Sequence, residues 1–239
     1  MENNQFNISQ NQEHTTALSK TFLSSVFSWM GLALGVTGIV SYIFGTDPNY
    51  ISMLVSPTGM TTLGYVVMFA PLLFVLAMGM GFQKFSSTTL VALFLVFSVL
   101  MGMSISFIFL IYTAASIYST FFITAGTFGV MAFIGYTTST DLTKFGSIMM
   151  MGLIGIIIAS LVNFFLKSSA MEYVISFLGV LIFTGLTAYD VQKLKRIGEG
   201  AEYGTEDTRK LSIMGALTLY LDFINLFLFL LRFFGNRKN

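Results

Sequence analysis

The chain has 239 residues, of which 55% are hydrophobic and only 10% are charged, and its mean hydropathy is +0.81. A soluble domain carries about a quarter charged residues, so this composition predicts an integral membrane protein. The net charge of +1 and the lack of a basic stripe argue against a nucleic-acid partner, and the absence of cysteine excludes disulfides and thiolate chemistry.

The chain begins with a polar stretch that contains its sole histidine, His14. This stretch lacks the charged start and the small-residue cleavage site of a signal peptide. We therefore expect residues 1–19 to form a polar cytoplasmic tail, and the first hydrophobic segment to remain in the mature protein.

Hydrophobic segments fill most of the remaining chain. A spanning helix needs about twenty mostly apolar residues, and seven segments meet this requirement: 21–45, 61–82, 88–112, 117–138, 146–166, 172–190 and 211–234. The sequence thus predicts an all-α, polytopic membrane helix bundle with seven transmembrane helices. We expect residues 20–235 to form a single transmembrane domain, followed by a short C-terminal tail at 236–239.

The distribution of Lys and Arg predicts the orientation, because cytoplasmic loops retain positive charge. With the N-terminus in the cytoplasm, eight of the 12 basic residues lie on the cytoplasmic side and four on the other side. If the last segment is re-entrant, so that it enters and returns on the same side, the count becomes eleven against one. The segment is long enough to cross, so we predict seven crossings and keep the re-entrant end as the alternative.

Few chemically capable groups lie at membrane depth. Asp222 lies in the middle of the last apolar segment, where a bare carboxylate costs roughly 2.5–3.5 kcal/mol. Thr218 and Asn225 share its helical face, and we expect this polar stripe to face the bundle interior. Asp190 ends the sixth segment. The structural alternatives are an interhelical hydrogen bond for Asp222 and, because Lys193 follows closely, an interfacial position for Asp190.

The residues around these aspartates carry a family resemblance. The segments Met214–Phe227, Leu230–Gly235 and Thr187–Lys193 closely resemble the Bax inhibitor-1 family, also called the transmembrane Bax inhibitor motif family, in its bacterial branch. The resemblance implies a seven-helix protein of the bacterial cytoplasmic (inner) membrane. It also implies that the sixth and seventh helices present Asp190 and Asp222 to a shared site, a proton-sensitive latch over a calcium leak pathway.

The physical chemistry of such a pair can be argued from the carboxyl groups themselves. Two carboxylates within hydrogen-bond reach and away from water cannot both ionise cheaply, so they share one proton and titrate as a unit. Loss of that proton separates the two helices or recruits a cation, and calcium suits carboxylates because it prefers several oxygen ligands. Asp190 and Asp222 are therefore candidate transient calcium ligands, with supporting oxygens from Thr187, Thr218, Tyr220 and Asn225.

The chain departs from the family at its second span. The best-studied bacterial relatives carry a basic residue of the latch near the end of that span, whereas Leu76–Phe82 contains no Arg or Lys. We therefore expect the aspartate pair to hold its shared proton to higher pH, unless Lys193 or Lys195 folds back toward it.

Three classes of function compete. We predict a pH-sensitive calcium (cation) leak channel that has no cofactor and whose partners are the lipid bilayer, protons and calcium as the permeant ion. The alternative is a non-transporting adaptor or regulator of a membrane-bound quality-control protease or stress response, with the tail 1–19 and the loop 191–210 as contact surfaces. An enzyme is disfavoured, because neither aspartate has the Gly-X-Gly-Asp pattern of an intramembrane aspartyl protease.

Overall fold

The computed structural model describes residues 2–57, 59–202 and 204–238, with side chains from Leu18 onward. Its elements in chain order are α1 (Glu2–Thr46), α2 (Pro48–Leu54), β1 (Val55–Ser56), β2 (Gly59–Met60), α3 (Thr62–Gly81), α4 (Ser87–Ile105), α5 (Ile108–Ile111), α6 (Ala114–Thr137), α7 (Thr143–Leu166), α8 (Ser169–Glu199) and α9 (Glu206–Phe234). The two strands form a small antiparallel pair.

Seven helices of the described chain are long and apolar enough to cross a membrane. They cover Leu18–Thr46, Thr62–Gly81, Ser87–Ile111, Ala114–Thr137, Thr143–Leu166, Ser169–Glu199 and Glu206–Phe234. Each corresponds to one apolar segment of the sequence. The prediction of an all-α bundle with seven transmembrane helices is therefore confirmed.

The predicted end of the sixth helix is wrong. α8 continues past Asp190 to Glu199, so the predicted loop 191–210 shrinks to residues 200–205. The apolar stretch ends where charged residues begin, but Leu, Lys, Gln and Arg are good helix formers and the helix continues through them. Asp190 is thus an interior residue of a helix and not its end.

The last helix runs without a break. α9 has 29 residues, which at 1.5 Å per residue make it roughly 43 Å long and sufficient for one crossing of a hydrocarbon layer of about 30 Å. A re-entrant segment would have to reverse direction within this stretch. The continuous helix favours a crossing.

The chain divides into two compact units. The first unit comprises Met1–Phe107 and Leu194–Leu217, and the second comprises Ile108–Lys193 and Thr218–Asn239. The division into a tail, one transmembrane domain and a C-terminal tail stays a prediction.

Within the first unit, α1 packs closely against α4. The Thr37 hydroxyl donates to the buried carbonyl of Ser98 at 2.9 Å. Gly102 lies beside the Thr37 carbonyl oxygen, which a Cβ at this position would approach to 2.8 Å. Small residues at such a crossing allow two membrane helices to come together.

Within the second unit, α9 packs on α6 through aromatic side chains. The Phe223 ring contacts Phe121 and Phe128 edge to face, with ring centroids 5.6 and 5.5 Å apart. Such pairs add to the stabilisation from buried apolar area. These contacts fix which face of α9 packs against α6, at the residue directly after Asp222.

The residues after α9 are bound within the second unit. The Lys238 N–H donates to the Ile111 carbonyl at 2.8 Å, and its Nζ donates to the Phe109 carbonyl at 2.7 Å. Arg237 forms a salt bridge of 2.9 Å with Glu172. Two of the four basic residues that the predicted orientation places outside the cytoplasm are thus held by partners in the fold.

Candidate functional site

Two aspartates of the second unit meet through their side chains. Asp190 on α8 is 7% exposed and Asp222 on α9 is 5% exposed. Their carboxyl groups lie close enough to each other for a hydrogen bond. The structure therefore brings together the two acidic residues that the sequence indicates, while their role stays a prediction.

Asp222 lies near the middle of its apolar span. Asp222 is roughly 24 Å along α9 from its first residue and roughly 18 Å from its last, at 1.5 Å per residue. In the most apolar stretches of α8 and α9, 61% and 67% of the residues are buried, against 6% for α7. The two carboxyl groups are thus carried by well-buried spans, and they lie inside protein.

The contact between the carboxyl groups needs a proton. An ionised carboxylate only accepts hydrogen bonds, so one of the two groups must be protonated to donate. The Oδ2 atom of Asp222 is buried and has no hydrogen-bond partner among the described residues. The positive charge of Lys193, one turn further along α8, acts on Asp190. Because an unpaired buried charge is very costly, one proton shared by the two groups lowers the cost of burying the pair.

Two glycines allow neighbouring helices to approach α8 beside Asp190. A Cβ at Gly135 on α6 would overlap the carbonyl oxygen of Ala188, and a Cβ at Gly146 on α7 would overlap the ring of Tyr189. Both contacts lie within two residues of Asp190. The sequence analysis missed these glycines, because a glycine in a membrane helix does not indicate which helix it contacts.

Gln192 is a polar residue near Asp190 that the sequence did not single out. It is 5% exposed, and its Nε2 donates to the Thr140 carbonyl at 2.8 Å. Its Oε1 accepts the Leu142 N–H at 2.9 Å. One side chain therefore satisfies two backbone groups of the loop between α6 and α7. A glutamine two residues after a buried aspartate is the signal that could have identified it.

Two of the predicted supporting oxygens lie near the pair along the helices. The Thr187 side chain is fully buried, and its hydroxyl donates to the Phe183 carbonyl at 2.7 Å. Asn225 is half-buried, and its Nδ2 donates to the Leu221 carbonyl at 2.8 Å. These bonds use the hydroxyl proton of Thr187 and one amide proton of Asn225, and they leave an oxygen on each side chain to accept from a donor or bind a cation.

The predicted interior stripe is wrong at Thr218, which is exposed. On an α-helix Thr218 lies about 40° and Asn225 about 60° from Asp222 on the same side, so both lie along one edge of the face that is centred on Asp222. Tyr220 is buried, but it is turned by about 200° from Asp222. Tyr220 is therefore poorly placed to share a cation with Asp222, whereas Thr218 lies one turn away on the same side as Asn225 and stays a predicted supporting oxygen.

No group of three or more His, Cys, Asp or Glu side chains in the described chain could hold a metal ion. Calcium takes six to eight oxygen ligands. The two carboxyl groups are therefore better suited to brief contact with a cation than to permanent coordination.

Comparison with known proteins places the chain in a family. Residues 19–239 match the family model described as "Inhibitor of apoptosis-promoting Bax1". The chain is 47% identical over 222 residues to the inner membrane protein YbhL of Escherichia coli K12, an alignment that covers 92% of this chain and 93% of that protein. It is 46% identical over 229 residues to an uncharacterized protein of Borreliella burgdorferi, with 95% and 97% covered. The chain belongs to the Bax inhibitor-1 family.

Proposed function

We propose that this protein is a pH-sensitive cation leak channel whose gate is the pair Asp190 and Asp222, with calcium as the permeant ion. The observation that carries the proposal is the close approach of two buried carboxyl groups on α8 and α9, near enough to share a proton. A purely structural bond could be made by an amide or a hydroxyl. A shared proton adds sensitivity to pH, which a neutral pair lacks.

The gate works through the charge of the pair. With one shared proton, the pair carries a single negative charge and the hydrogen bond ties α8 to α9. When pH rises and the proton leaves, two negative charges face each other in a poor dielectric, where their repulsion is much stronger than in water. Because the bond then has no donor, the two helix segments separate. Conduction is therefore expected to increase with pH.

The separated carboxylates form a suitable transient binding position for a divalent cation. The buried Oδ2 of Asp222 and the carboxylate of Asp190 supply hard oxygen ligands of the kind that calcium prefers. Thr187 and Asn225 lie one turn away along their helices and add neutral oxygens. A site with so few ligands binds weakly, and weak binding allows an ion to leave as well as enter.

The relative in Escherichia coli is named an inner membrane protein, which supports the same location for this chain. Conduction needs only the protein and a bilayer, whereas an adaptor acts only through its partner. Purified protein in liposomes therefore separates the leak channel from the regulator of a membrane-bound protease. Wild-type protein is expected to admit calcium into liposomes, and more rapidly as pH rises.

Asp222→Asn is the test variant, because the amide keeps the shape of the side chain but cannot change its charge. We expect calcium entry through this variant to lose its dependence on pH. Asp207→Asn is the matched control, since it makes the same change at an exposed position of α9. Absence of calcium entry through wild-type protein, or an unchanged pH profile in Asp222→Asn, would contradict the proposal.

A further inference from the structure

A cavity of about 490 Å³ lies in the first unit, beside the first turns of α4 and α9 and the adjoining part of α1. Phe22, Trp29 and Ile213 contribute apolar surface to it, and several Ser and Thr side chains contribute hydroxyl groups. Arg209 is the charged residue of its described lining. The volume lies in the range of small-molecule sites, and this lining suits a ligand with one apolar and one anionic end.

The cavity lies where apolar spans begin. Ser87 and Arg209 lie in the first turn of their spans, whereas Trp29 lies well inside the span Leu18–Thr46. The lining of α1 from Thr21 to Trp29 extends roughly 12 Å along the helix. The cavity therefore reaches from the membrane surface into the apolar layer, the region that lipid head groups and interfacial tryptophans occupy.

Two acidic residues, Glu206 and Asp207, precede Arg209 in the first turn of α9, and neither belongs to the described lining of the cavity. Glu206, which precedes Arg209 by one turn, accepts the Ser87 N–H at 2.6 Å and the Ser87 hydroxyl at 2.9 Å. Its carboxylate is thus held at the start of α4 and is not part of the described lining. The charge of Glu206 also interacts with Arg209 and Lys210, so an anionic ligand in the cavity would share the guanidinium of Arg209 with this carboxylate.

The hydroxyl groups restrict the ligand further. The Ser87 hydroxyl donates to Glu206, the Thr208 hydroxyl donates to the Glu202 carbonyl at 2.6 Å, and the Ser212 hydroxyl donates to the Thr208 carbonyl at 3.0 Å. Each hydroxyl has one proton, so in this arrangement all three oxygens can only accept from a ligand. The Thr208 oxygen also accepts from the Thr205 hydroxyl at 3.0 Å, and a ligand group that reaches any of the three oxygens must be a hydrogen-bond donor.

We propose that the cavity binds a glycerophosphate group, that is, a phosphate ester that carries free hydroxyl donors, as in the head group of phosphatidylglycerol. Arg209 pairs with the phosphate, because a guanidinium fork matches phosphate oxygens. The glycerol hydroxyls donate to the acceptor oxygens of Ser87, Thr208 and Ser212. Basic pockets between the ends of membrane helices are typical binding places for anionic head groups, and Phe22 and Trp29 supply apolar contact below.

Trp29 is a built-in reporter, because it is the only tryptophan of the chain and it lines the cavity. The full chain is reconstituted in phosphatidylcholine nanodiscs that contain increasing fractions of a lipid with brominated acyl chains. Brominated phosphatidylglycerol and brominated phosphatidylmethanol carry the same charge, but only the former has hydroxyl donors. We expect brominated phosphatidylglycerol to quench Trp29 at an about fivefold lower mole fraction than brominated phosphatidylmethanol does. This ratio corresponds to the free energy of one added hydrogen bond. Equal quenching by the two lipids in wild-type protein overturns the proposal.

Arg209→Gln tests the charge, with Lys210→Gln as its matched control. Both variants remove one positive charge from the first turn of α9, but only Arg209 belongs to the described lining. We expect the preference for phosphatidylglycerol over phosphatidylcholine to fall in Arg209→Gln and to persist in Lys210→Gln. An equal loss of this preference in both variants would mean that the basic surface as a whole attracts the lipid. That result would overturn the proposal of a specific site at Arg209.

A final experiment distinguishes a lipid head group from a soluble phosphate ester as the ligand. Soluble glycerol phosphate is added to wild-type protein in pure phosphatidylcholine nanodiscs, and the emission of Trp29 is recorded. A shift that disappears in Arg209→Gln assigns the site to a soluble phosphate ester, whereas quenching by brominated phosphatidylglycerol without such a shift assigns it to the lipid. If neither ligand acts through Arg209, the proposal fails.

Discussion

Gln192 accepts the backbone N–H of Leu142 at 2.9 Å, and this bond ties α8 to the loop before α7. The same side chain donates to the Thr140 carbonyl at 2.8 Å. Because Gln192 follows Asp190 by two residues on one rigid helix, the two bonds fix how far α8 can rotate at the aspartate. The loop thus positions a carboxyl group that it does not touch.

Gln192→Ala is expected to destabilise the protein. The substitution leaves a backbone N–H and a carbonyl without their partner, and each unsatisfied buried group costs about 1–3 kcal/mol. The melting temperature in detergent should fall, and the pH midpoint of calcium entry should move as well. Gln83→Ala is the control, because Gln83 is exposed. Identical melting temperatures for the two variants would show that the bonds of Gln192 contribute nothing.

Gly135→Ala is expected to destabilise the contact between α6 and α8. The new methyl group would overlap the Ala188 carbonyl oxygen, and because backbone cannot swing aside as a side chain can, a cost of about 1–3 kcal/mol follows. Gly129→Ala is the matched control on the same helix, because a Cβ there meets nothing within 4 Å. We expect Gly129→Ala to be neutral or slightly stabilising in a thermal unfolding series. A similar loss of stability in both variants would contradict the close approach.

The sequence predicted these features unequally, for physical reasons. The seven spans follow from hydropathy, because a bilayer requires long apolar helices, and Asp222 stands out because a carboxylate is costly at that depth. The end of α8 was misplaced because hydropathy indicates whether residues favour lipid or water, and it does not indicate whether the helix continues. Gly135 and Gln192 were missed because their partners lie more than 45 residues away in the chain, and pairing between distant helices leaves no local pattern.

Removal of the charge of Lys193 is expected to move the opening of the channel to higher pH. Lys193 follows Asp190 by one helical turn, and a positive charge at that distance eases the loss of a proton from the pair, so without it the pair gives up its proton less readily. Lys193 is exposed, so water screens its charge and the shift in Lys193→Gln should be small. Lys195→Gln, at a position turned by about 200° around α8, is the control. A midpoint that moves to lower pH in Lys193→Gln would contradict this assignment.

The C-terminal residues offer a comparison between a salt bridge and backbone bonds. Arg237 and Glu172 are 59% and 38% exposed, so Arg237→Gln should change stability by less than about 1 kcal/mol. Truncation after Gly235 also removes the bond from the Thr113 N–H to the Asn236 carbonyl at 3.1 Å, and it should lower the melting temperature clearly. Equal effects of the two changes would assign the whole contribution of this tail to one ion pair.

The central claim is that Asp190 and Asp222 titrate as one unit that gates calcium. The most direct measurement is calcium entry into liposomes across a pH series for wild-type protein, Asp190→Asn, Asp222→Asn and the double variant. Because groups that share one proton are not independent, we predict that the double variant behaves like the more severely affected single variant and that its flux does not respond to pH. Additive effects of the two substitutions, or a pH response that survives in the double variant, would contradict the account.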